Sequence, residues 1–318
     1  MSITPEDVQN CFQFLLGRSA EDQAVEHFRQ NCNSTEELRT LVMRSEEFHK
    51  RVLGSQFHHP ISFVEHRTNQ SVDVDSSAQD LEKLWDHVGR SWSQLGKEQP
   101  YFSVVTSDEY LSENIPANEE KFWSTGVHDF DRISMIFKEC GLSADQFPTA
   151  LEYGCGVGRA SLFLSRLFKT LYALDISPNH LEIADRKAKQ DGIGNICFQK
   201  VDRAGLDALP AYDLFYSRIV LQHNPPPIMH YILDRLLKNL NSGGLAIFQI
   251  PVYMDGYSFE TRSYLKTAKP GMEMHVLPQS SIFKLLEVHG CQPLSIKEDG
   301  DIGHFGAWVS NTIVARKN

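Results

Sequence analysis

The sequence is short of cysteine and of long hydrophobic runs, and both shortages limit what it encodes. Its 318 residues include six cysteines, none in a Cys-x-x-Cys pair, so neither a zinc knuckle nor a disulfide framework is predicted. The longest apolar stretches, such as Leu245 to Val252, fall far short of the roughly 20 residues that span a bilayer. The N-terminus lacks the charged-then-apolar layout of a signal peptide. We therefore expect a cytoplasmic protein with no integral membrane segment.

Basic charge is scarce as well. The chain has 31 lysines and arginines against 41 aspartates and glutamates, which gives a formal net charge of -10 at pH 7. No block of consecutive basic residues offsets this balance, and broad contact with phosphate backbones depends on basic charge. We therefore expect no nucleic-acid partner. The histidines His58, His59 and His66 lack a spaced carboxylate partner, so no metal site is predicted.

Signals for helix starts are strong near the beginning of the chain. Thr4 is a candidate N-cap followed by Pro5 at the first helical position. Ser34, with Glu37 three residues later, has the spacing of a capping box. Apolar residues at helical spacing follow each of these starts. Residues 1–57 are therefore predicted to form a small helical module.

The stretch that follows is first polar and then helical. Residues 58–78 are poor in large apolar side chains and are predicted to be a linker. Apolar spacing predicts helices over Asp80–Leu95 and Phe122–Cys140. Residues 79–146 are therefore predicted to be a helical cap that leads into the core. Closure of such a cap would exclude water from a crevice beneath it.

The most informative segment reads Leu151-Glu152-Tyr153-Gly154-Cys155-Gly156-Val157-Gly158-Arg159. An apolar strand runs into three glycines at alternate positions, and helical spacing follows over Ala160–Phe168. Glycines permit positive φ and let a ligand approach the backbone. A second apolar run ends on Asp175, and an acidic residue about 20 residues past the glycines can accept hydrogen bonds from ribose hydroxyls. This pattern predicts a nucleoside-binding site.

The glycine spacing distinguishes between classes of nucleotide site. A dinucleotide fingerprint has its third glycine three residues after the second. Gly156 and Gly158 are only two apart, which disfavours a nicotinamide enzyme. No Lys-Ser or Lys-Thr pair accompanies the glycines as it does in a triphosphate-binding loop.

These residues resemble the first motif of the class I S-adenosylmethionine-dependent methyltransferases, an acidic residue followed by Gly-x-Gly-x-Gly. The order of the downstream segments resembles that family too. They are predicted strands Ile196–Val201, Ala211–Ser217 and Leu245–Ile250, a turn at Gly243-Gly244, and an antiparallel pair, Pro293–Ile296 with Ala307–Val314. Strands that alternate with helices imply a parallel, doubly wound sheet. The predicted fold class is α/β, with a doubly wound, mostly parallel seven-stranded sheet over residues 147–318.

The resemblance implies S-adenosylmethionine as cofactor and S-adenosylhomocysteine as product. Asp175 is predicted to bind the ribose, and Gly154 and Gly156 the methionine end. The resemblance implies that Asp202 bonds the adenine, with Arg203 beside it, although a helix or turn cap is the alternative for Asp202. The full predicted cofactor site is Glu152, Tyr153, Gly154, Cys155, Gly156, Gly158, Arg159, Asp175, Ile176, Asp202, Arg203 and Ser217.

Two histidines are candidate bases for removing a proton from an acceptor hydroxyl. His223 follows the fourth strand at the carboxyl edge of the sheet, and an imidazole titrates near neutral pH. The alternative for His223 is a structural histidine bonded to backbone. His275 is the second candidate, in a segment rich in polar aromatic residues where acceptors usually bind. The predicted acceptor-binding residues are Gln222, Tyr253, Asp255, Tyr257 and Tyr264.

Two further resemblances suggest a biological setting. The patterns Gln249-x-Pro251-x-Tyr253 and Met272-Glu273-Met274-His275 resemble a subgroup of these methyltransferases that is associated with bacterial surface-polysaccharide genes. Phe14–Arg18, Glu37-Leu38 and Arg44–Phe48 resemble a short helical domain of unknown function attached to glycan-assembly enzymes. The latter implies that the helical module docks a partner or a second copy.

The sequence therefore predicts a methyltransferase that O-methylates a sugar or glycan intermediate of surface polysaccharide, with His223 or His275 as the base. A small metabolite or a lipid-linked acceptor is the alternative within the same class. A non-catalytic scaffold with a methyltransferase fold, in a glycan-assembly complex, is the alternative outside it. The intact glycines and Asp175 argue against the scaffold.

Overall fold

The computed structural model describes residues 3–45, 47–48, 70–302 and 308–318, which fall into two compact units. The first unit is the helical module, with α1 (Pro5–Leu16), α2 (Asp22–Asn31) and α3 (Thr35–Met43). Thr4 and Ser34 cap α1 and α3 through their side chains, as the sequence predicts. The buried core of this module is apolar and includes Val8, Phe12, Leu38 and Val42.

Part of the predicted linker belongs to the second unit. Val72 forms an isolated parallel bridge with Phe259, and the backbone N–H of Thr261 donates to Asp73 Oδ2 at 2.8 Å. This end of the linker is therefore held by backbone pairing. His58, His59 and His66 lie outside the described residues.

The second unit is built on a seven-stranded sheet with the order β3-β2-β1-β4-β5-β7-β6. The strands are β1 (Thr149–Tyr153), β2 (Thr170–Asp175), β3 (Ile196–Lys200), β4 (Tyr212–Ser217), β5 (Leu240–Met254), β6 (Cys291–Asp299) and β7 (Trp308–Lys317). The neighbouring pairs among β1 to β5 are parallel, and β6 pairs with β7 antiparallel. The predicted fold class is confirmed.

Helices cover both faces of this sheet, as buried parallel strands require. In chain order they are α4 (Ala78–Glu98), α5 (Ile115–Ser124), α6 (Val127–Cys140), α7 (Ser161–Leu164), α8 (Pro178–Gln190), α9 (Arg203–Asp207), α10 (Pro226–Asn239), α11 (Thr261–Thr267) and α12 (Gln279–Val288). Ile133 and Phe137 of α6 pack on Leu171 and Leu214 of the sheet. Because the carboxyl ends of β1, β2 and β4 lie side by side, the loops after them meet at one edge.

Most predicted elements differ from the structure only in where they begin or end, and two differ in more than that. The predicted helix Phe122–Cys140 is two helices, α5 and α6, separated at Gly126. A Cβ there would lie 2.0 Å from the carbonyl oxygen of Arg159, so the backbone of this turn packs directly on the loop after β1. The predicted turn at Gly243-Gly244 lies within β5, where the pairing with β4 shifts register.

We expect Gly158→Ala to destabilise the second unit more than Gly141→Ala does. Both glycines have positive φ, 83° and 66°, so each alanine is strained by about 1–2 kcal/mol. At Gly158 the added Cβ would also meet the Ala184 Cβ at 2.9 Å, whereas at Gly141 nothing lies within 4 Å. Denaturant unfolding should show a difference of about 1–3 kcal/mol between the variants. Equal losses would contradict close packing of α8 on this loop.

Candidate functional site

The glycine loop after β1 is fixed to the end of β2 by backbone and side-chain bonds. The N–H groups of Gly154 and Cys155 donate to the carbonyl oxygen of Leu174, at 2.8 and 2.9 Å. The N–H of Gly156 donates to Asp175 Oδ2 at 2.8 Å. A Cβ on Gly154 would lie 2.3 Å from Val220. A side chain at Gly154 would therefore clash with Val220, and only a glycine lets the loop pack this closely.

A cleft of about 950 Å³, counted with its open mouth, lies over this loop. The predicted cap, residues 79–146, contributes Val88, Trp92, Ser103, Val104 and Asp129 to its walls. His223 also lines it, beside Trp92, with ring centroids 5.2 Å apart. The predicted cofactor residues that line the cleft are Glu152, Tyr153, Gly154, Cys155, Gly156, Arg159, Asp175 and Ile176.

The remaining predicted cofactor residues have other contacts. Gly158 packs on α8, and Ser217 Oγ donates to the carbonyl oxygen of Tyr153 at 2.9 Å. Asp202 is exposed and caps α9 by accepting from the Gly205 N–H at 2.8 Å. Arg203 forms an ion pair with Glu82 at 2.9 Å. These residues surround the cleft without lining it in the described part of the chain, so the adenine role of Asp202 stays a prediction.

A buried ion network that the sequence interpretation missed lies at the cleft. Asp129 of α6 is 2% exposed, and its carboxylate accepts from Arg159 Nη2 at 2.8 Å and from the Tyr216 hydroxyl at 2.6 Å. Burial alone would raise the pKa of Asp129, but the charges of Arg159 and Arg218 outweigh burial and hold it below its usual value. Asp129 falls on the same helix face as the apolar residues Ile133 and Phe137. That position in the sequence was the signal that its carboxylate is buried.

Two groups in the cleft have polar capacity that the described residues leave unused. Arg159 Nε is buried and has no hydrogen-bond partner among them, and a buried unsatisfied donor is costly. Glu152 accepts one bond, from Ser161 Oγ at 2.5 Å. Burial raises the pKa of Glu152 to about 7. A ligand with both an anionic and a cationic group would satisfy both residues, and the amino-acid end of S-adenosylmethionine has these two groups.

The structure separates the two candidate bases. His223 lines the cleft, and its Nδ1 lies 2.8 Å from the carbonyl oxygen of Glu273. Because a carbonyl only accepts, Nδ1 is the protonated nitrogen and Nε2 of the neutral ring keeps its lone pair. Burial lowers the pKa of His223 to about 4. His275 is 6% exposed, and both of its ring nitrogens are engaged, with the Tyr257 hydroxyl at 2.8 Å and Glu273 at 3.1 Å.

The predicted acceptor-binding residues are not among the described residues that line the cleft. Tyr257 bonds His275, and Tyr264 bonds the Glu273 carboxylate. Asp255 is exposed, 3.5 Å from the hydroxyl of the buried Tyr253. Gln222, the fifth of these residues, is 2% exposed. These side chains have partners within the fold, so a direct role in acceptor binding stays a prediction.

Gln249 holds a strained part of the cleft wall. Ile219 lines the cleft with φ of 54°, in the left-handed region that β-branched residues rarely adopt. Its N–H donates to Gln249 Oε1 at 2.9 Å, and Gln249 Nε2 donates to Gln222 Oε1 at 3.1 Å and to Ser310 Oγ at 2.6 Å. Strain of this kind persists where surrounding bonds fix it, and it concentrates at functional sites.

The described residues lack two kinds of feature. No helix among them is both long and apolar enough to cross a membrane. In the same part of the chain, no three His, Cys, Asp or Glu side chains come close enough together to hold a metal ion.

Comparisons with known proteins agree with this geometry. Residues 150–244 match a family model described as a methyltransferase domain. The carboxy-S-adenosyl-L-methionine synthase of Campylobacter jejuni subsp. jejuni serotype O:2 is 33% identical over 125 residues, which cover 37% of this chain and 52% of that enzyme. Sterol 4-C-methyltransferase strm-1 of Caenorhabditis elegans is 21% identical over 201 residues, 61% of this chain and 59% of that protein. The chain thus spans about half the length of the curated relatives it matches.

A solved structure shares the fold. Magnesium protoporphyrin IX methyltransferase (ChlM) from Synechocystis PCC 6803, with bound SAH, superposes with a TM-score of 0.51 at 17% identity, over 73% of this chain and 98% of that one. The family match identifies residues 150–244 as a methyltransferase domain, and the fold of this chain is shared with that methyltransferase structure. For this domain, the predicted methyltransferase class and the predicted cofactor, S-adenosylmethionine, are confirmed. The methyl acceptor is not identified by these likenesses.

We expect Glu152→Gln to stabilise the protein at alkaline pH. An unfolded glutamate titrates near 4.5 and folded Glu152 near 7, so the folded state binds the extra proton between these values and stability falls as pH rises through them. The amide removes this cost, which is about 3 kcal/mol for a pKa raised from 4.5 to about 7. Chemical unfolding should show Glu152→Gln as the more stable protein at pH 8, with the advantage lost near pH 4. A pH-independent difference would contradict the buried carboxylate.

Proposed function

We propose that the whole chain is an active methyltransferase that binds S-adenosylmethionine in the cleft and transfers its methyl group to an acceptor hydroxyl. One observation supports this proposal. Asp175, Glu152 and Arg159 line the same cleft, and His223 is part of its wall. When bound, S-adenosylmethionine would supply the methyl group of its sulfonium, and the acceptor oxygen would bond to that methyl as the carbon–sulfur bond breaks and S-adenosylhomocysteine leaves.

Residues of the chain divide the binding of the donor between its two ends. Asp175 accepts hydrogen bonds from ribose hydroxyls at the end of β2. Arg159 Nε and the Glu152 carboxylate bind the carboxylate and ammonium of the methionine portion. The ammonium favours ionised Glu152, so donor binding lowers the raised pKa of this carboxyl. Gly156 lets the donor approach the backbone, and Val88 and Trp92 of α4 exclude water above it.

His223 acts on the acceptor. Its Nδ1–H is donated to the Glu273 carbonyl, which fixes the ring and leaves Nε2 to accept the hydroxyl proton as the oxygen–methyl bond forms. A pKa near 4 keeps the ring neutral at physiological pH, so no proton must leave it first. A base with so low a pKa is weak, and alignment of the acceptor supplies the rest of the rate enhancement.

The acceptor class in this proposal is a hydroxyl of a sugar or of a glycan intermediate of surface polysaccharide. Its support is the resemblance of the patterns at Gln249–Tyr253 and Met272–His275 to the polysaccharide-associated subgroup. Each pattern contacts a residue of the cleft wall, because Gln249 bonds Ile219 and Glu273 bonds His223. We propose that they shape the acceptor side of the cleft.

Calorimetry tests the donor site. We expect the wild-type protein to bind S-adenosylhomocysteine, and Asp175→Ala to lower the affinity by about 10–100-fold, since hydrogen bonds to a charged group are worth about 1.5–3 kcal/mol each. Asp185→Ala is the matched control, because Asp185 pairs with Lys189 on the exposed face of α8 and does not line the cleft, and it should leave the affinity unchanged. Absence of binding by the wild type, or equal affinity in Asp175→Ala, would contradict the proposed function.

Radiolabelled methyl transfer to a panel of free sugars, nucleotide sugars, lipid-linked glycans and small metabolites tests the acceptor. Labelling of a sugar hydroxyl is the expected result. Labelling of non-sugar acceptors only would contradict the acceptor class and leave the donor site in place. Donor binding without turnover on any acceptor would favour the scaffold.

With an acceptor in hand, His223→Asn isolates the base. The asparagine amide can still donate to the Glu273 carbonyl but offers no lone pair at the position of Nε2, so kcat should fall by about 10²–10⁴-fold with little change in affinity for S-adenosylhomocysteine. The wild-type kcat should show no limb from His223 between pH 8 and pH 5, because protonation begins only near its pKa of about 4. A larger loss of kcat in His275→Gln than in His223→Asn would reverse the assignment.

A further inference from the structure

A buried histidine connects the end of β2 to the cover of the cleft. His180 Nδ1 lies 3.3 Å from Asp175 Oδ1, and His180 Nε2 lies 2.9 Å from Ser103 Oγ. The ring is 2% exposed. Ser103 and Asp175 both line the cleft, as does His180 itself. One imidazole therefore bridges the predicted ribose ligand and a residue of the cap.

Close packing leaves the imidazole little freedom. His180 lies in the first turn of α8, and Gly96 of α4 approaches it from the other side. A Cβ on Gly96 would lie 3.0 Å from His180 Nε2 and 2.2 Å from Ser177 Oγ. Only a glycine lets α4 come this close. The ring is therefore packed between α4 and its own helix, α8.

The cover segment, residues 99–107, follows α4 and is closed on the glycine loop. The N–H of Ser103 donates to the carbonyl oxygen of Gln99 at 2.9 Å, and Ser103 Oγ lies 3.1 Å from that of Pro100. Next to it, Val104 Cγ2 lies 2.6 Å from where a Cβ on Gly156 would stand. Ser103 thus bonds His180 from a segment that also touches the glycine loop.

The bonds of Asp175 show which oxygen remains available to a ligand. Oδ1 accepts from the Ser177 N–H at 2.8 Å and contacts His180, while Oδ2 accepts only from the Gly156 N–H at 2.8 Å among the described residues. A carboxylate oxygen has two lone-pair sites. His180 therefore completes Oδ1 and orients the carboxylate so that Oδ2 retains one acceptor site toward the cleft.

We infer that His180 is a positioning residue for the methyl donor, which orients the Asp175 carboxylate toward ribose and ties the cover segment to the same carboxylate. The inference rests on the proposed function, because it requires the donor ribose at Asp175. His180 itself does not touch the reacting atoms, and its effect is transmitted through Asp175 on one side and Ser103 on the other.

The test compares two ligands, S-adenosylhomocysteine and its 2′,3′-dideoxy analogue, by calorimetry. His180→Phe keeps an aromatic ring and removes both bonds, so affinity for S-adenosylhomocysteine should fall about tenfold, the scale of one hydrogen bond to a charged group. Affinity for the analogue should fall only about threefold, because it lacks the hydroxyls through which Asp175 acts and loses only the contribution of the cover segment. His180→Asn, whose amide can still donate to Asp175, should retain most of the discrimination between the ligands.

A second pair of variants tests the cover. Ser103→Ala should raise the dissociation rate of S-adenosylhomocysteine by about three- to tenfold. Ser112→Ala, which removes an exposed serine that donates to the Glu98 carbonyl oxygen at 3.1 Å, is the matched control and should leave the rate unchanged. This pair measures how much the cover segment slows the dissociation of S-adenosylhomocysteine, even if His180→Phe does not fold.

Four outcomes overturn the inference. Equal loss for both ligands in His180→Phe would make His180 a packing residue only. Unchanged affinity and unchanged discrimination in both His180 variants would show that His180 does not act through Asp175. An unchanged dissociation rate in Ser103→Ala would show that the bond between Ser103 and His180 does not hold the cover segment. A wild-type protein that binds neither ligand would overturn the proposed function as well, which distinguishes the two failures.

Discussion

The bond between the Gly156 N–H and the Asp175 carboxylate is the constraint on which the rest of the cleft depends. It joins the loop after β1 to the end of β2, at the edge of the sheet where parallel strands present their carboxyl ends. The same carboxylate accepts from the Ser177 N–H at the start of α8. Loop, strand and helix are thereby fixed around one buried charge. The polar groups that face a ligand take their positions from it.

This constraint was partly visible in the sequence. Three alternate glycines after an apolar strand, with Asp175 after the next one, specify a turn and a carboxylate because both signals are local. The order of the strands follows from their alternation with helices. Contacts between distant segments were not visible: Asp129, Arg159 and Tyr216 come from separate elements and meet only in the folded sheet. His180 lies two residues after Pro178, and nothing local marks it as a partner of Ser103, 77 residues earlier.

The acceptor side shows what residue types alone leave open. Residue types that suit sugar binding predict a polar surface at Tyr257, Tyr264 and His275. In the fold they bond one another and Glu273, and the strain at Ile219 is held from the same region by Gln249. Composition identifies polar aromatic residues but does not tell whether they face a ligand or each other. The segment matched by the family model ends at residue 244, before this region, and the relatives named above differ in their chemistry.

A crystal structure with S-adenosylhomocysteine bound tests the central claim most directly. The account predicts ribose hydroxyls on Asp175, the amino-acid end at Arg159 and Glu152, and the sulfur facing an open space that His223 Nε2 borders. A saturated crystal with an empty cleft, or a ligand whose sulfur faces away from His223, would contradict it.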